Sequence, residues 1–592
     1  MEVKDEEHIP KYITSEEMFI DKKYLYPNFQ RAYSWGKEQI NAFLNDLLEK
    51  ASKRKYYLGT IYYLNNANTY HIVDGQQRIT TLFLIINALR IIDENRFNKL
   101  NINLSDRAGC PNFDSIVATP YSRVLFSSGL AEIEEQFSNE TDVNLTKMQI
   151  HLNQKYIVEK ISEKSNSYFL QIQEILRNST FLFLNGESLA DSNEIFENIN
   201  SKGIKLDNTD IIKNAYFSRI KESGGDDFNS QKYKYWITIE KNIFNEKNLP
   251  GNTEDFKYVE DKAKKFKTNF ESFFVIYFQL KYNKKQVKTD YKLANKYIEK
   301  MDSHINHQNA SLINELRELK RLSASAKYIF NVHQELPAEE FSSLQRSINF
   351  LDNLGISVHH PFSIALYHKI INSTIYRDKM SKLNKLFEKI SLFHFNYNTM
   401  FSMLPSRVEK AYQSIAHDIY MNDIKFEEVE ERLKKELFTK TDIKDKNVIK
   451  EKLRRTLFTL DRRKTILKTM TDDEKGEYAI FNSSNEIKYI YEILEKYLRD
   501  DHSSHVDIET IEHINNLSDD YTSFKVQNLI PLEITLNGNC KTHGVEDKIE
   551  HYKKSKYKIT LKFVEIYEKA PTNWEDQWVD YLAGLFLEII LN

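Results

Sequence analysis

Residues 56–92 constrain the fold more than any other stretch of the chain. Tyr56-Tyr57-Leu58-Gly59-Thr60-Ile61-Tyr62-Tyr63-Leu64 is rich in strand formers, Asn65-Asn66-Ala67-Asn68 reads as a turn, and Tyr70-His71-Ile72-Val73 is a second short strand. Together they predict a hairpin ending on Asp74. Leu82, Leu84, Ile85, Ala88 and Leu89 then recur at helical spacing up to Ile92. A strand therefore runs through Asp74-Gly75-Gln76-Gln77-Arg78 straight into a helix, which makes this part of the chain α/β. Glycine lets a backbone approach a ligand closely, and helix-start N–H groups attract anions. Arg78 offers a planar fork for phosphate oxygens. Gln76 and Gln77 can orient a water or a ribose hydroxyl, Asp74 can hold a cation or fix the loop, and Thr80 and Thr81 add hydroxyls. The same residues also fit an ordinary capped helix with Arg78 paired to a carboxylate. Alone, the loop leaves both readings open.

Beyond this segment the pattern is mostly helical. Long amphipathic stretches such as Phe270–Leu280 and Ser311–Phe330 dominate residues 225–435, where glycine is scarce. The weakly patterned residues Phe438–Lys446 read as a linker. Helices over Val448–Met470 and Asn485–Asp500 then precede a compact module starting near Asp507. At 592 residues the chain exceeds what one hydrophobic core organises. The expected class is α+β, mostly helical, divided at 1–220, 221–440 and 441–592.

Several function classes drop out on composition. Cys110 and Cys540 are the only cysteines, too few for a disulfide framework or a cysteine-rich zinc site. No apolar run approaches the roughly 18–20 residues of a membrane span. The start, MEVKDEEHIPKY, is acidic and polar, unlike a secretory signal. A cytoplasmic chain without membrane partners is expected. The net charge of −3 does not announce nucleic-acid binding. Locally, however, Asn252–Lys300 holds 12 Lys against 7 acids, and Lys541–Lys562 holds 7 Lys against 3. Such clusters suit phosphate backbones, although a solvated helix face has the same composition.

Two further segments bear on the loop. Tyr26-Pro27-Asn28-Phe29-Gln30-Arg31-Ala32-Tyr33-Ser34-Trp35 precedes an amphipathic helix. Ile195-Phe196-Glu197-Asn198-Ile199-Asn200-Ser201-Lys202-Gly203-Ile204-Lys205-Leu206 is followed by Asp210-Ile211-Ile212-Lys213-Asn214. With Leu58-Gly59 and the Asp74–Arg78 loop, these segments resemble, in order and spacing, the N-terminal domain of the GmrSD family of modification-dependent restriction enzymes. The likeness covers about residues 15–217. It implies a ParB/sulfiredoxin-like fold that binds and hydrolyses a nucleoside triphosphate (GTP, UTP or ATP). Carried over by position, Gln30, Arg31, Asp74, Gly75, Gln76, Gln77, Arg78 and Thr80 surround the phosphates. Asn200, Gly203, Asp210 and Lys213 belong to the later box. Tyr33 and Trp35 either stack on a base or pack the following helix, and packing is favoured.

The C-terminal module contains Ile511-Glu512-His513-Ile514, then Asn528, then Asn537. A one-metal nuclease needs a base for water, hard oxygen ligands and a group that orients the base. His513 suits the base, Glu512 and the Asn537 oxygen suit Mg²⁺ or Mn²⁺, and Asn528 suits orientation. A Glu-His pair on its own fits an ordinary strand equally well. The full spacing looks like the ββα-metal (HNH) motif in the form attached to the GmrSD C-terminal domain, with Lys548, Lys553 and Lys554 on the following helix as phosphate contacts. The pattern departs from the family at Asn515, Asn516 and Gln527. The resemblance implies nucleotide-binding (1–220), helical (221–440) and nuclease (441–592) domains. It further implies a defence endonuclease or nickase acting on double-stranded phage or modified DNA, with room for a homo-oligomer. The alternative is a nucleotide-switched DNA-binding protein whose HNH domain is inactive. His359-His360 has no evident ligand partner in the sequence.

Overall fold

In a computed structural model the chain is mostly helical, with one small mixed sheet near its N-terminus. The structure describes residues 10–14, 23–25, 33–49, 56–66, 69–92, 116–117, 145–164, 166–186, 208–220, 231–243, 256–282, 294, 297–299, 309–330, 342–372, 380–422, 424–438, 445–458, 479–481, 484–501, 506–515, 525–540 and 544–591. It divides into two compact units, Met1–Val275 with Lys288–Lys327, and Ile276–Val287 with Tyr328–Asn592.

The first unit is built on six strands, β1 (Lys11–Thr14), β2 (Lys23–Leu25), β3 (Tyr56–Asn66), β4 (Thr69–Asp74), β5 (Ile116–Val117) and β6 (Ser179–Asn185). Their order is β1-β6-β3-β4-β2-β5. The β3–β4 hairpin is antiparallel, as the sequence predicts, while β3 pairs with β6 in parallel. Helices α1 (Lys37–Glu49), α2 (Gln76–Ile92), α3 (Leu145–Ser162) and α4 (Asn166–Asn178) share one hydrophobic core with the sheet. Ile79, Leu82, Phe83, Leu84, Ile85, Ile86, Ala88 and Leu89 are all buried. A helix apolar on every side must be central, and α2 is. Its few polar groups are satisfied from α3: Gln154 Nε2 donates to the Leu84 carbonyl at 3.1 Å, and Asn87 Nδ2 donates to Gln154 Oε1 at 3.0 Å.

After the sheet come α5 (Asn208–Arg219), α6 (Gln231–Ile243), α7 (Phe256–Tyr282) and α8 (Asn309–Ile329). Fully buried Trp236 anchors the first three, stacking on Phe274 with ring centroids 5.9 Å apart.

The second unit holds α9 (Ser342–Asn353), α10 (His360–Asn372), α11 (Met380–His394), α12 (Ser406–Met421), α13 (Phe426–Leu433), α14 (Lys446–Arg454) and α15 (Ser484–Arg499). A short parallel pair, β7 (Thr456–Phe458) and β8 (Ala479–Phe481), sits between the last two. The chain then forms the antiparallel pair β9 (Thr510–His513) and β10 (Leu529–Leu532), followed by α16 (Ile534–Cys540), α17 (Val545–Tyr552), α18 (Lys558–Lys569) and α19 (Trp574–Leu591). Among the described residues no helix is long and apolar enough to cross a membrane.

Candidate functional sites

The Asp74–Arg78 turn owes its shape to two glycines. Gly75 has φ +103°, a region costly for other residues, and a Cβ there would lie 2.3 Å from Ile61 Cδ1. It also caps the helix, since its carbonyl accepts from Ile79 N at 3.0 Å. Gly59 has φ +123° at the point where the β3–β6 register shifts, and its missing Cβ makes room for the Arg78 guanidinium. Arg78 Nη2 pairs with Asp74 Oδ2 at 3.1 Å, both side chains being partly exposed. In this state the arginine is thus paired to a carboxylate, the plainer of the two readings. Asp74, Gln76 and Arg78 are the residues of the turn that reach solvent.

Gln77 and Thr80, expected as ligand contacts, are largely buried. Gln77 Oε1 accepts from Ser34 N at 2.8 Å, and Thr81 Oγ1 donates to the Gln77 carbonyl at 2.9 Å. The Tyr33 hydroxyl meets Thr81 Oγ1 at 2.8 Å, and burial drives its pKa well above the usual tyrosine range. Trp35 packs edge-on against Phe43, and its carbonyl accepts from Asn153 Nδ2 at 2.6 Å. The Tyr33–Trp35 segment is therefore pinned to α2 and α3, and its aromatics pack rather than stack on a base. Gln30, Arg31, Asn200 and Gly203 lie outside the described residues. Lys213 is buried on α5, its ammonium 5.8 Å from the Phe217 ring, and Asp210 stands at the start of the same helix.

In the second unit the hairpin-plus-helix order of β9, β10 and α16 carries the other predicted residues. The register sets Glu512 opposite Ile530 and His513 opposite Leu529. Asn528 immediately precedes β10. Its Oδ1 accepts from Asn515 N at 2.7 Å and its carbonyl accepts from Ile514 N at 2.8 Å. It thereby holds the backbone directly after His513. Asn537, on α16, donates from Nδ2 to Thr510 Oγ1 at 2.9 Å. Thr510 is two residues before Glu512, so the two share a strand face.

Lys548 corrects the sequence reading. Its ammonium is 1% exposed and donates to Glu512 Oε1 at 2.7 Å, to the His513 carbonyl at 2.6 Å and to the Ile514 carbonyl at 3.4 Å. A lysine so enclosed cannot lie on a DNA backbone; it positions the Glu-His strand. Burial raises the Glu512 pKa, opposed by Lys548 and by a backbone hydrogen bond from His513. Nearby Cys540 is buried and its thiol is pushed up to about 11 by that burial, so it packs as an apolar group. Lys553 and Lys554 are exposed, and Lys553 bridges Glu550 at 2.6 Å and Glu568 at 3.1 Å. Lys556 pairs with Glu509, and Lys562 with Glu565 at 2.7 Å, so much of the basic run is matched by acids.

The donor set suits a hard divalent cation. Asn537, whose Nδ2 is on Thr510, and Glu512, one of whose oxygens takes Lys548, supply the hard oxygens of such a set. Nothing in the sequence pattern announced Lys548 as the partner of Glu512. The one available cue was a lysine in an otherwise apolar helix face beside Ile549 and Tyr552.

Compared with known families, residues 15–217 match the model described as the GmrSD restriction endonuclease, N-terminal domain. No curated protein matches the chain.

Proposed function

We propose that the chain, whose residues 15–217 match the GmrSD restriction endonuclease N-terminal domain, is a metal-dependent DNA endonuclease or nickase whose cutting is gated by a nucleoside triphosphate. The observation that carries this reading is the β9–β10–α16 module, which places Glu512, His513, Asn528 and Asn537 on one hairpin and the helix after it. His513 takes the proton from the attacking water. Asn528 holds the backbone that aims His513, and Lys548 keeps the Glu512 strand end in place. Glu512 and Asn537 would hold Mg²⁺ or Mn²⁺, which when bound stabilises charge on the phosphate and leaving oxygen. Exposed Lys553 and Lys554 remain candidates for DNA phosphate. The nucleotide is assigned to the Asp74–Arg78 turn, where phosphate oxygens would compete with Asp74 for the Arg78 fork. Breaking that pair is a physical means of coupling nucleotide binding to the hairpin.

The test crosses unmodified, phosphorothioated and glucosylated DNA with GTP, UTP, ATP and Mg²⁺. Cleavage of at least one modified substrate, abolished in His513→Ala, is expected. No cleavage under any condition, or cleavage that survives His513→Ala, refutes the reading. The Lys548 contact to Glu512 favours one competitor, a nucleotide-switched DNA-binding protein with an inactive nuclease module. That protein would hydrolyse nucleotide and shift modified DNA in a gel without cutting it.

A further inference from the structure

Helix α9 ends in a turn that the nuclease reading does not use. Gly355, at φ +72°, donates to the Asp352 carbonyl at 2.9 Å, and Ile356 N donates to the Leu351 carbonyl at 2.9 Å. This 6→1 and 5→2 pair is a Schellman cap, which reverses the chain within a few residues. Helix α10 begins at His360, so the reversal folds His359 and His360 back onto Asp352. His360 Nε2 lies 3.0 Å from Asp352 Oδ1, and His359 Nε2 lies 3.9 Å from the same oxygen. Among the described residues this is the one group of three such side chains whose ligand atoms all fall within 4.8 Å of one another.

His359 supplies a second, independent observation. Its ring is fully buried, and Nε2 has no hydrogen-bond partner. A buried ring nitrogen left unpartnered is costly and calls for an explanation. The other nitrogen, Nδ1, is 2.9 Å from Ser363 Oγ, one helical turn on. A hydrogen bond at one ring nitrogen is the arrangement that aims the opposite nitrogen at a metal.

We propose that Asp352 Oδ1, His359 Nε2 and His360 Nε2 form a binding site for a late first-row divalent cation, best met by Zn²⁺, that clamps the α9–α10 turn. Two imidazoles and one carboxylate are a borderline donor set that suits Zn²⁺ better than Mg²⁺. Ligand bonds of about 2.0–2.1 Å put tetrahedral donors about 3.3 Å apart. The two distances to Asp352 straddle that value, and no pair of the three donors is more than 4.8 Å apart, so the rings need only close modestly onto the ion. Asp352 and His360 are 23% and 16% exposed at their side chains, leaving an entry path and a fourth position for water. This site is chemically distinct from the hard-oxygen pair Glu512 and Asn537.

The experiment measures bound metal, not cleavage. Tag-free, EDTA-stripped full-length protein is dialysed against Zn²⁺ and its metal content read by plasma mass spectrometry. A Glu512→Gln/Asn537→Ala protein serves as background. One equivalent of Zn²⁺ is expected in that background, and its Co²⁺ form is expected to show visible d–d bands. Asp352→Asn and His360→Gln, both at partly exposed positions, are each expected to lose the equivalent and the bands while keeping the far-ultraviolet dichroism of the parent. Absence of bound Zn²⁺ in the parent overturns the proposal. So does an equivalent that survives both substitutions, which would place the ion elsewhere.

Discussion

Replacing Lys548 by Met removes the cation that, among the described residues, pairs with the Glu512 carboxylate, while keeping the volume of the stem. Glu512 then either stays ionised in a poor dielectric or takes up a proton, and the second route caps the penalty. Between its ordinary value of 4.5 and pH 7 that cap is 1.36 kcal/mol per unit over 2.5 units, about 3.4 kcal/mol. The sign is set by the direction of the shift. Glu512 is raised in the folded state, so its contribution is fully present below 4.5 and is lost as pH rises through the folded value. Without Lys548 the folded value climbs further, so the loss deepens toward neutral pH. The His513 and Ile514 carbonyls also lose a donor, adding about 1–3 kcal/mol at every pH. Hydrogen exchange of β9 and β10 amides, followed by mass spectrometry and corrected for intrinsic rates, reads both parts. Protection in Lys548→Met should fall by up to about 300-fold more at pH 7 than at pH 4.5. Adding Glu512→Gln should remove that pH-dependent portion. A loss equal at both pH values, or no rescue by Glu512→Gln at pH 7, refutes the argument.

Gly75→Ala should cost about 1–3 kcal/mol, because positive φ and the contact with Ile61 act together; an unchanged thermal midpoint would contradict this. Gln77→Ala leaves Ser34 N without its acceptor and should cost about 1–3 kcal/mol, read as lowered protection of peptides covering residues 33–36. His394 is buried and its pKa is lowered to about 4, so the stability it supports is present above 6.5 and is lost as pH falls through 4. The loss approaches about 3.4 kcal/mol, and a His394→Gln protein should show a flatter decline in urea midpoint between pH 7 and 4. Lys496 is buried between Glu388 and Glu492, each oxygen 3.0 Å away, and Lys496→Met should cost about 3–5 kcal/mol in thermal or urea denaturation.

The local content of the chain was legible because it is local. The hairpin of β3 and β4 and its exit through Asp74 and Gly75 into a helix follow from alternation, turn residues and helical spacing over a few positions, whereas the order of strand, strand and helix around His513 was implied only by the resemblance to the HNH motif. The need for Gly75 is likewise visible, since a strand that turns straight into a helix calls for a residue free of Cβ strain.

Partnership across long separations was not legible, because periodicity says which face of an element is buried and not what it meets. Gln77 has the chemistry of a ligand contact, yet packing 43 residues away turns it to Ser34 N. Lys548 reads as a surface cation, yet the fold of α17 against β9 makes it the counter-charge of Glu512, 36 residues upstream. Asp352 and His359 are close in sequence, but seven positions carry them apart along a continuous helix. Only the cap at Gly355 brings them together. The Asp74–Arg78 turn shows the division most directly. Its backbone course is written in five residues, whereas the closure of the Arg78 fork on Asp74 depends on the space left by Gly59, on a different strand. Side-chain chemistry was the sequence's to supply; which groups it reaches was decided by tertiary packing, because close-packed interiors leave each buried polar atom few partners to choose from.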